Sequence, residues 1–298
     1  MVAYIDIDHL TKDYGKGRGV FDVSLEVEEG EIYGFVGVNG AGKTTTIRHM
    51  MGFLKPDEGS VTIKGLDATK SSAEVKRYVS YIPGEINFPG DTTGEEFLKN
   101  QIYLSGRGSW EYAKELSDLL QLDVTAKVRS MSKGMKQKTA IVSAFASAAD
   151  ILIMDEPTTG LDPLMRDIFL DLIKQEKEKG KTIFMSSHIF QEVEEACDRV
   201  AVIQEGKIVD VIDMETIRYN KNKYYRMEFK SLKDFEHFLR LDYQIDKIKA
   251  GDLQLFVQIH DKDINQLIQD LKYFDLVYFK EVKVTFEDYI TQTFKEEV

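Results

Sequence analysis

The most specific chemical pattern in the chain is the run Gly37-Val38-Asn39-Gly40-Ala41-Gly42-Lys43-Thr44-Thr45, which fits G-x-x-x-x-G-K-[ST]. Its glycines let successive backbone N–H groups turn toward one anion, and a helix starting at the end of the run adds the partial positive charge of its N-terminus. Lys43 is spaced to reach the β- and γ-phosphates of a nucleotide, and the Thr44 hydroxyl to ligate Mg²⁺. A second pattern is the apolar run Ile151-Leu152-Ile153-Met154, which closes on Asp155, Glu156 and Pro157. A strand of this kind beside a phosphate loop places Asp155 to hold Mg²⁺ and Glu156 to face the γ-phosphate. A carboxylate there orients and polarises an attacking water, which is most of what phosphoryl transfer asks of a protein. Each pattern alone has a bland reading, a glycine turn or a capped strand. Together they point to a nucleotide triphosphate site.

The surrounding elements must bring these patterns together. Residues 32–36 form a uniformly apolar strand running into Gly37, and a helical pattern begins near Lys43. Before it, Phe21, Val23, Leu25 and Val27 alternate with polar residues, the period of a half-buried strand. After the strand at 151–154, the pattern predicts a helix over 163–179 with Gly180 past its end, and a strand over 182–185. A helix near 189–196, a strand over 200–203 and a turn at Glu205-Gly206 follow. Strand and helix in alternation imply an α/β fold with a parallel sheet covered by helices.

With these elements in order, the chain resembles the ATP-binding subunits of ABC transporters over roughly residues 3–210. Ser130-Met131-Ser132-Lys133-Gly134-Met135-Lys136-Gln137 is similar to the family signature, in which Ser132 and Gly134 would grip the γ-phosphate held by an opposite subunit. The resemblance assigns Thr159-Gly160-Leu161-Asp162 to the loop that crosses that subunit interface. It assigns His188 to the histidine that contacts the γ-phosphate, and Tyr14 to the aromatic on which adenine stacks. The family usually has a metal-ligating glutamine just after the strand ending near Ile82. Here the chain reads Pro83-Gly84-Glu85, leaving Glu85 as the substitute. The fold so implied is a phosphate-loop ATPase of ABC type: a mixed sheet with flanking helices, a helical subdomain at about 86–150 and an antiparallel β subdomain. The cofactors would be ATP and Mg²⁺. The partners would be integral membrane permease subunits and a second ATP-binding subunit, at the cytoplasmic face of the membrane. The variant motifs also resemble Gram-positive exporters of peptides, drugs or toxins of the bacitracin-resistance kind.

Composition narrows the alternatives. Thirty-nine Lys and Arg against 51 Asp and Glu give a net charge of −12 in 298 residues. That balance opposes nucleic-acid binding, which needs clustered positive charge. A family member working on nucleic acid or ribosomes would carry two nucleotide domains or a coiled-coil insertion, and neither is evident. A kinase or GTPase on the same loop leaves the signature and His188 unexplained. The single cysteine, Cys197, excludes an internal disulfide and suits a reducing compartment. The longest apolar run, 140–154, is interrupted by Ser143, Ser147 and Asp150 and falls short of the ~18–20 residues that cross a bilayer. The start of the chain reads as no secretion signal, so a membrane role is expected to come through a partner.

The composition shifts near residue 213. Every proline lies before it, while nearly half of the aromatic residues lie after it. The tail predicts strands at 224–229, 243–248, 253–259 and 276–282 with helices at 232–239 and 264–271. That βαββαβ order suits a small accessory domain at 214–298, following an ATP-binding domain at 1–213. Its histidines, His237 and His260, offer no phosphate or metal chemistry, and the segment is expected to serve subunit pairing or regulation.

Overall fold

A computed structural model describes residues 3–88, 90–283 and 285–294, so the first two residues and the last four of the expected C-terminal domain lie outside the described residues. The chain divides into two compact units, Met1–Met214 and Glu215–Val298.

The first unit holds two sheets. A four-stranded antiparallel sheet, in order β2-β1-β4-β5, is built from β1 (Ile5–Asp13), β2 (Gly19–Val27), β4 (Glu58–Ile63) and β5 (Leu66–Asp67). In β2 the alternation holds from Val23 onward, but Val20 rather than Phe21 is buried ahead of it. Asp22 has φ +56°, and Phe21 and Asp22 together face one residue of β1: a bulge shifts the register there. The six-stranded sheet has the order β10-β9-β3-β8-β7-β6. Its strands are β3 (Ile32–Val36), β6 (Val79–Ile82), β7 (Ile151–Asp155), β8 (Thr182–Ser187), β9 (Arg199–Gln204) and β10 (Lys207–Asp213). All neighbours are parallel except the β9–β10 edge pair. Strands β3, β7 and β8 are buried at every position, which explains their continuous apolar character in the middle of a helix-covered sheet.

Helix α1 (Lys43–Met50) follows β3, and a short α2 (Ser72–Val75) precedes β6. The helical part comprises α3 (Gly94–Ser105), α4 (Trp110–Leu119) and α5 (Lys133–Ala146). Thr93 caps α3 in a reciprocal box with Glu96, and Ser132 caps α5 through the Met135 N–H. The apolar run 140–154 is divided between the end of α5 and strand β7. Helix α6 (Pro163–Glu178) starts with Asp162 as its cap and Pro163 in its first turn, and α7 (Phe190–Ala196) packs inward through Glu192, Val193 and Ala196.

Helix α8 (Met214–Arg218) leads into the second unit, whose elements are β11 (Asn222–Phe229), α9 (Leu232–Phe238), β12 (Gln244–Lys249), β13 (Gln254–His260), α10 (Ile264–Leu271), β14 (Leu276–Val282) and α11 (Phe286–Phe294). The sheet order β12-β13-β11-β14, antiparallel throughout, interleaves two βαβ units. One face carries Tyr225, Met227, Phe229, Leu255, Val257 and Ile259 against Phe235, Phe238 and Leu267, so the unit has a core of its own. Among the described residues no helix is long and apolar enough to cross a membrane.

Candidate nucleotide site

The phosphate loop leaves the C-terminal end of the buried strand β3 and becomes α1. Two of its glycines are required by conformation: Gly40 has φ +86° and Gly42 φ +117°. Gly37 is required by space, since a Cβ there would stand 2.3 Å from the Ile203 carbonyl oxygen. Gly42 sits at the N-cap of α1 with no side-chain cap, so no N-cap side chain takes the first amides of the helix, the groups that bind an anion at a helix N-terminus. The loop is braced from behind: the Gly206 N–H donates to the Ala41 carbonyl (2.9 Å), and the Phe21 N–H donates to the Gly206 carbonyl (2.7 Å). The turn at Glu205-Gly206 thus joins the β1–β2 hairpin to the phosphate loop.

Lys43, only 6% exposed, donates through Nζ to the Gly37 carbonyl (2.6 Å) and the Val38 carbonyl (3.3 Å). The same ammonium lies 3.2 Å from Glu156 Oε1. Thr44 Oγ1 donates to Asp155 Oδ2 (2.7 Å), and Ser186 Oγ donates to Asp155 Oδ1 (2.6 Å), so both oxygens of this buried carboxylate are held. Glu156 takes a left-handed backbone, φ +52°, just past the end of β7. Its N–H donates to the Ser186 hydroxyl (3.1 Å), and its Oε2 lies 2.5 Å from His188 Nδ1. A non-glycine residue at that φ is uncommon and costs on the order of 1 kcal/mol, a local strain typical of functional sites. Lys43, Thr44, Asp155, Glu156 and His188 therefore meet at the C-terminal ends of β3, β7 and β8, where parallel sheets open their ligand crevices.

The remaining residues named from the sequence occupy separate places. Tyr14 stands in the turn between β1 and β2, its N–H bonded to the Arg18 carbonyl (2.8 Å), and the residue is 48% exposed. Asn39, also exposed, lies on the same loop as Gly40 and Ala41; Thr45 is the third residue of α1, where its carbonyl is 2.8 Å from His49 Nδ1. Ser132 and Gly134 open α5, where a Cβ on Gly134 would stand 2.9 Å from the Gly160 carbonyl oxygen. Asp162 accepts from the Met165 N–H (3.0 Å) as the cap of α6. Glu85 is exposed and makes no hydrogen bond or ion pair among the described residues with Thr44 or Asp155. It faces a cleft of about 360 Å³ with Lys133, Lys136 and Gln137. It is Gly84 that approaches Asp155, at 3.2 Å from a built Cβ to Oδ2, so the chain passes the carboxylate with backbone only.

Several residues that shape the site escape the sequence patterns. Strand β8 runs to Ser187, beyond the expected end at 185, because Ser186 and Ser187 are buried and their hydroxyls have carboxylate partners in Asp155 and Glu192. Gln137 Nε2 donates to the Pro157 carbonyl (2.6 Å), tying the start of α5 to the residue after Glu156. The one available signal was the pair of serines closing an apolar strand.

Among the described residues no cluster of three or more His, Cys, Asp or Glu could hold a metal by itself. The donor set, one carboxylate with one hydroxyl beside an anion cradle, fits Mg²⁺, which takes few protein ligands and completes its shell with phosphate oxygens and water.

The ABC transporter family profile matches residues 20–159. The chain is 34% identical over 274 residues to the bacitracin transport ATP-binding protein BcrA of Bacillus licheniformis, a match covering 89% of this chain and 83% of that one. It is 39% identical over 216 residues to the ABC transporter ATP-binding protein NatA of Bacillus subtilis, covering 70% of this chain and 88% of that one. The solved structure of an ATP-binding subunit of an ABC transporter superposes with a TM-score of 0.65 at 31% identity, over 73% of this chain and 92% of that one. With this phosphate loop, this strand-end carboxylate pair and these relatives, the chain belongs to the ABC transporter family, as one of its ATP-binding subunits.

Proposed function

We propose that the chain is the ATP-hydrolysing motor of an exporter of peptides, drugs or toxins. It would work at the cytoplasmic face of the membrane, through separate integral membrane permease subunits. A second ATP-binding subunit, identical or related, would complete the pair. The observation that carries the reading is the convergence of Lys43, Thr44, Asp155, Glu156 and His188 around an uncapped helix N-terminus. Export of this cargo class is supported by the relative named for bacitracin transport, whose match is too long to lie within the first unit alone.

In the proposed chemistry the loop amides and Lys43 bind the phosphates, exchanging the carbonyls of Gly37 and Val38 and the Glu156 carboxylate for phosphate oxygens. Thr44 and Asp155 would hold Mg²⁺, which supplies charge neutralisation on those oxygens; Glu85 stands outside this set. Glu156, held by His188 and released from Lys43, orients the attacking water and accepts its proton. Tyr14 stacks on adenine. Ser132 and Gly134 would close on the nucleotide of the paired subunit. Co-purification of the tagged chain with an integral membrane protein, and ATP hydrolysis by that assembly, tests the reading. A chain that hydrolyses ATP but isolates without a membrane partner, from membranes gently solubilised, would argue against a transport motor.

Lys43→Ala should weaken ATP binding by about 1–3 kcal/mol, the range for a lost charge-assisted contact, measured by equilibrium titration. Unchanged affinity would place the phosphates elsewhere.

We assign the second unit to subunit pairing or regulation. Deleting residues 215–298 should leave ATP affinity within about twofold, because every residue of the proposed site lies in the first unit. Pairing or transport should fall. A truncated chain that folds by circular dichroism yet loses nucleotide binding outright would put the tail in the ATP site.

A further inference from the structure

The β7–β8 ladder stops at the pair Asp155–Ser186, one residue before Glu156 and two before His188. Past that point the two reactive side chains stand on loops that the sheet no longer registers. One buried side chain spans both loops. Glu192, on α7, is 1% exposed, and its Oε2 accepts from Thr158 Oγ1 (2.9 Å) and from Ser187 Oγ (3.0 Å). Thr158 lies two residues after Glu156, and Ser187 directly precedes His188. The other oxygen, Oε1, lies 3.0 Å from Nε of Arg166, in the second turn of the helix that Asp162 begins.

Nothing in the packing of α7 asks for a charge at this position. An apolar residue of similar volume would avoid the desolvation cost, and burial, the largest influence, does push the Glu192 carboxyl above the usual carboxylate range, with the nearby Glu156 charge acting in the same direction. The two hydroxyls and Arg166 oppose that push. A carboxylate in this place does what an apolar side chain cannot. It joins three segments, two through directed hydrogen bonds and the third through the ion pair with Arg166, and a shift of about an ångström in either loop would break one of the hydrogen bonds.

We infer that Glu192 is a positioning residue for ATP hydrolysis: it clamps the segment after Glu156, the segment before His188 and helix α6 into one arrangement, so that Glu156 and His188 meet at their 2.5 Å contact. The inference rests on the functional reading above and deepens it. Glu192 touches neither nucleotide nor water. It acts through Thr158, Ser187 and Arg166, and through Arg166 it also links the site to the helix that follows the proposed interface loop. Because, among the described residues, no hydrogen bond or ion pair joins Glu192 to the phosphate loop or Tyr14, its loss should slow the reaction while leaving ATP binding intact. Misplacement of a reacting group by about 1 Å lowers rates by up to about 10²-fold.

The test compares kcat, KM and equilibrium ATP affinity in the full chain, assembled with its membrane partner, for Glu192→Ala, Glu192→Gln and Thr158→Val. Glu192→Ala should lower kcat about tenfold or more with ATP affinity within twofold. Thr158→Val removes one arm and should give a smaller loss with the same split. Glu192→Gln retains an acceptor for both hydroxyls but turns an amide toward Arg166, and should fall between them. A merely structural role would lower the melting temperature while each folded molecule kept the wild-type kcat. Wild-type kcat in Glu192→Ala overturns the assignment, as does a parallel fall in affinity and kcat. If Glu192→Ala does not fold, wild-type kcat in both Thr158→Val and Glu192→Gln overturns it equally. An inactive wild-type assembly takes the functional reading down with it; an active wild type with unaffected variants removes the Glu192 clamp alone.

Discussion

Glu156→Gln should bind ATP as the parent chain does and turn it over at least about 10²-fold more slowly, a barrier increase of about 2.7 kcal/mol. The substitution keeps the size and shape of the side chain and removes its basicity. Binding should survive because the phosphate cradle, the Gly40 and Gly42 turn and Lys43, is built from α1 and its loop rather than from β7. It should even gain slightly, because Lys43 Nζ now sits 3.2 Å from a Glu156 oxygen and would be released to the phosphates. His188 keeps a neutral acceptor in place of its carboxylate partner at 2.5 Å. Near-normal hydrolysis in Glu156→Gln would remove Glu156 as the base, and attention would shift to another carboxylate of the site.

How much of this site could be read in advance follows from how local each signal is. The phosphate loop is legible because backbone conformation and chemistry are written in the same contiguous residues: glycines where φ is positive, then Lys and Thr on the first turn of a helix. Asp155 and Glu156 are legible because a wholly apolar run announces a buried strand, and its end has to emerge at a site. The second unit's strand and helix order from β11 to β14 could be read from aliphatic and aromatic periodicity, with ends displaced by up to two residues, while helix α11 was not foreseen. At Leu253 the displacement has a cause: the residue takes φ +52° in a turn, which its apolar type does not suggest.

What could not be read depends on partners far away in sequence. Ser186 and Ser187 end β8 as buried hydroxyls only because Asp155 and Glu192 receive them, and a serine pair after an apolar run reads equally well as a loop. Glu192 looks like a solvent-facing residue in a helix rich in glutamates; only the fold turns it inward onto Thr158 and Arg166. Glu85 is the opposite case. The resemblance made it a ligand candidate, while the backbone carries Gly84 past Asp155 and Glu85 lines a cleft together with Lys133 and Lys136. Phe21 was misplaced by a bulge whose positive-φ residue, Asp22, is an ordinary polar residue in the alternating pattern.

Gly134→Asp should abolish hydrolysis, by about 10²-fold or more, while each isolated chain still binds ATP. The residue lies at the start of α5, outside its own chain's phosphate cradle, so ATP held by Lys43 and the loop of the same chain is not disturbed. Two effects act on the paired state. A Cβ at Gly134 would stand 2.9 Å from the Gly160 carbonyl oxygen, pushing on the loop that leads to Asp162. The added carboxylate would also present negative charge where the helix N-terminus is proposed to face the γ-phosphate of the opposite subunit. The two dead variants should then rescue one another when mixed. In a pair made of one Glu156→Gln chain and one Gly134→Asp chain, the nucleotide held by the Gly134→Asp chain meets an intact Glu156 and an intact opposing signature. The other nucleotide meets neither. Mixing should therefore restore hydrolysis at one composite site per pair, while either variant alone stays silent. Sizing the Glu156→Gln protein with and without Mg-ATP, at micromolar concentration, should show the ATP-dependent pair directly. Mixtures that remain as inactive as their components, with ATP demonstrably bound, would mean that Gly134→Asp acts within its own chain rather than across a pair, or that the chain pairs only with a different subunit.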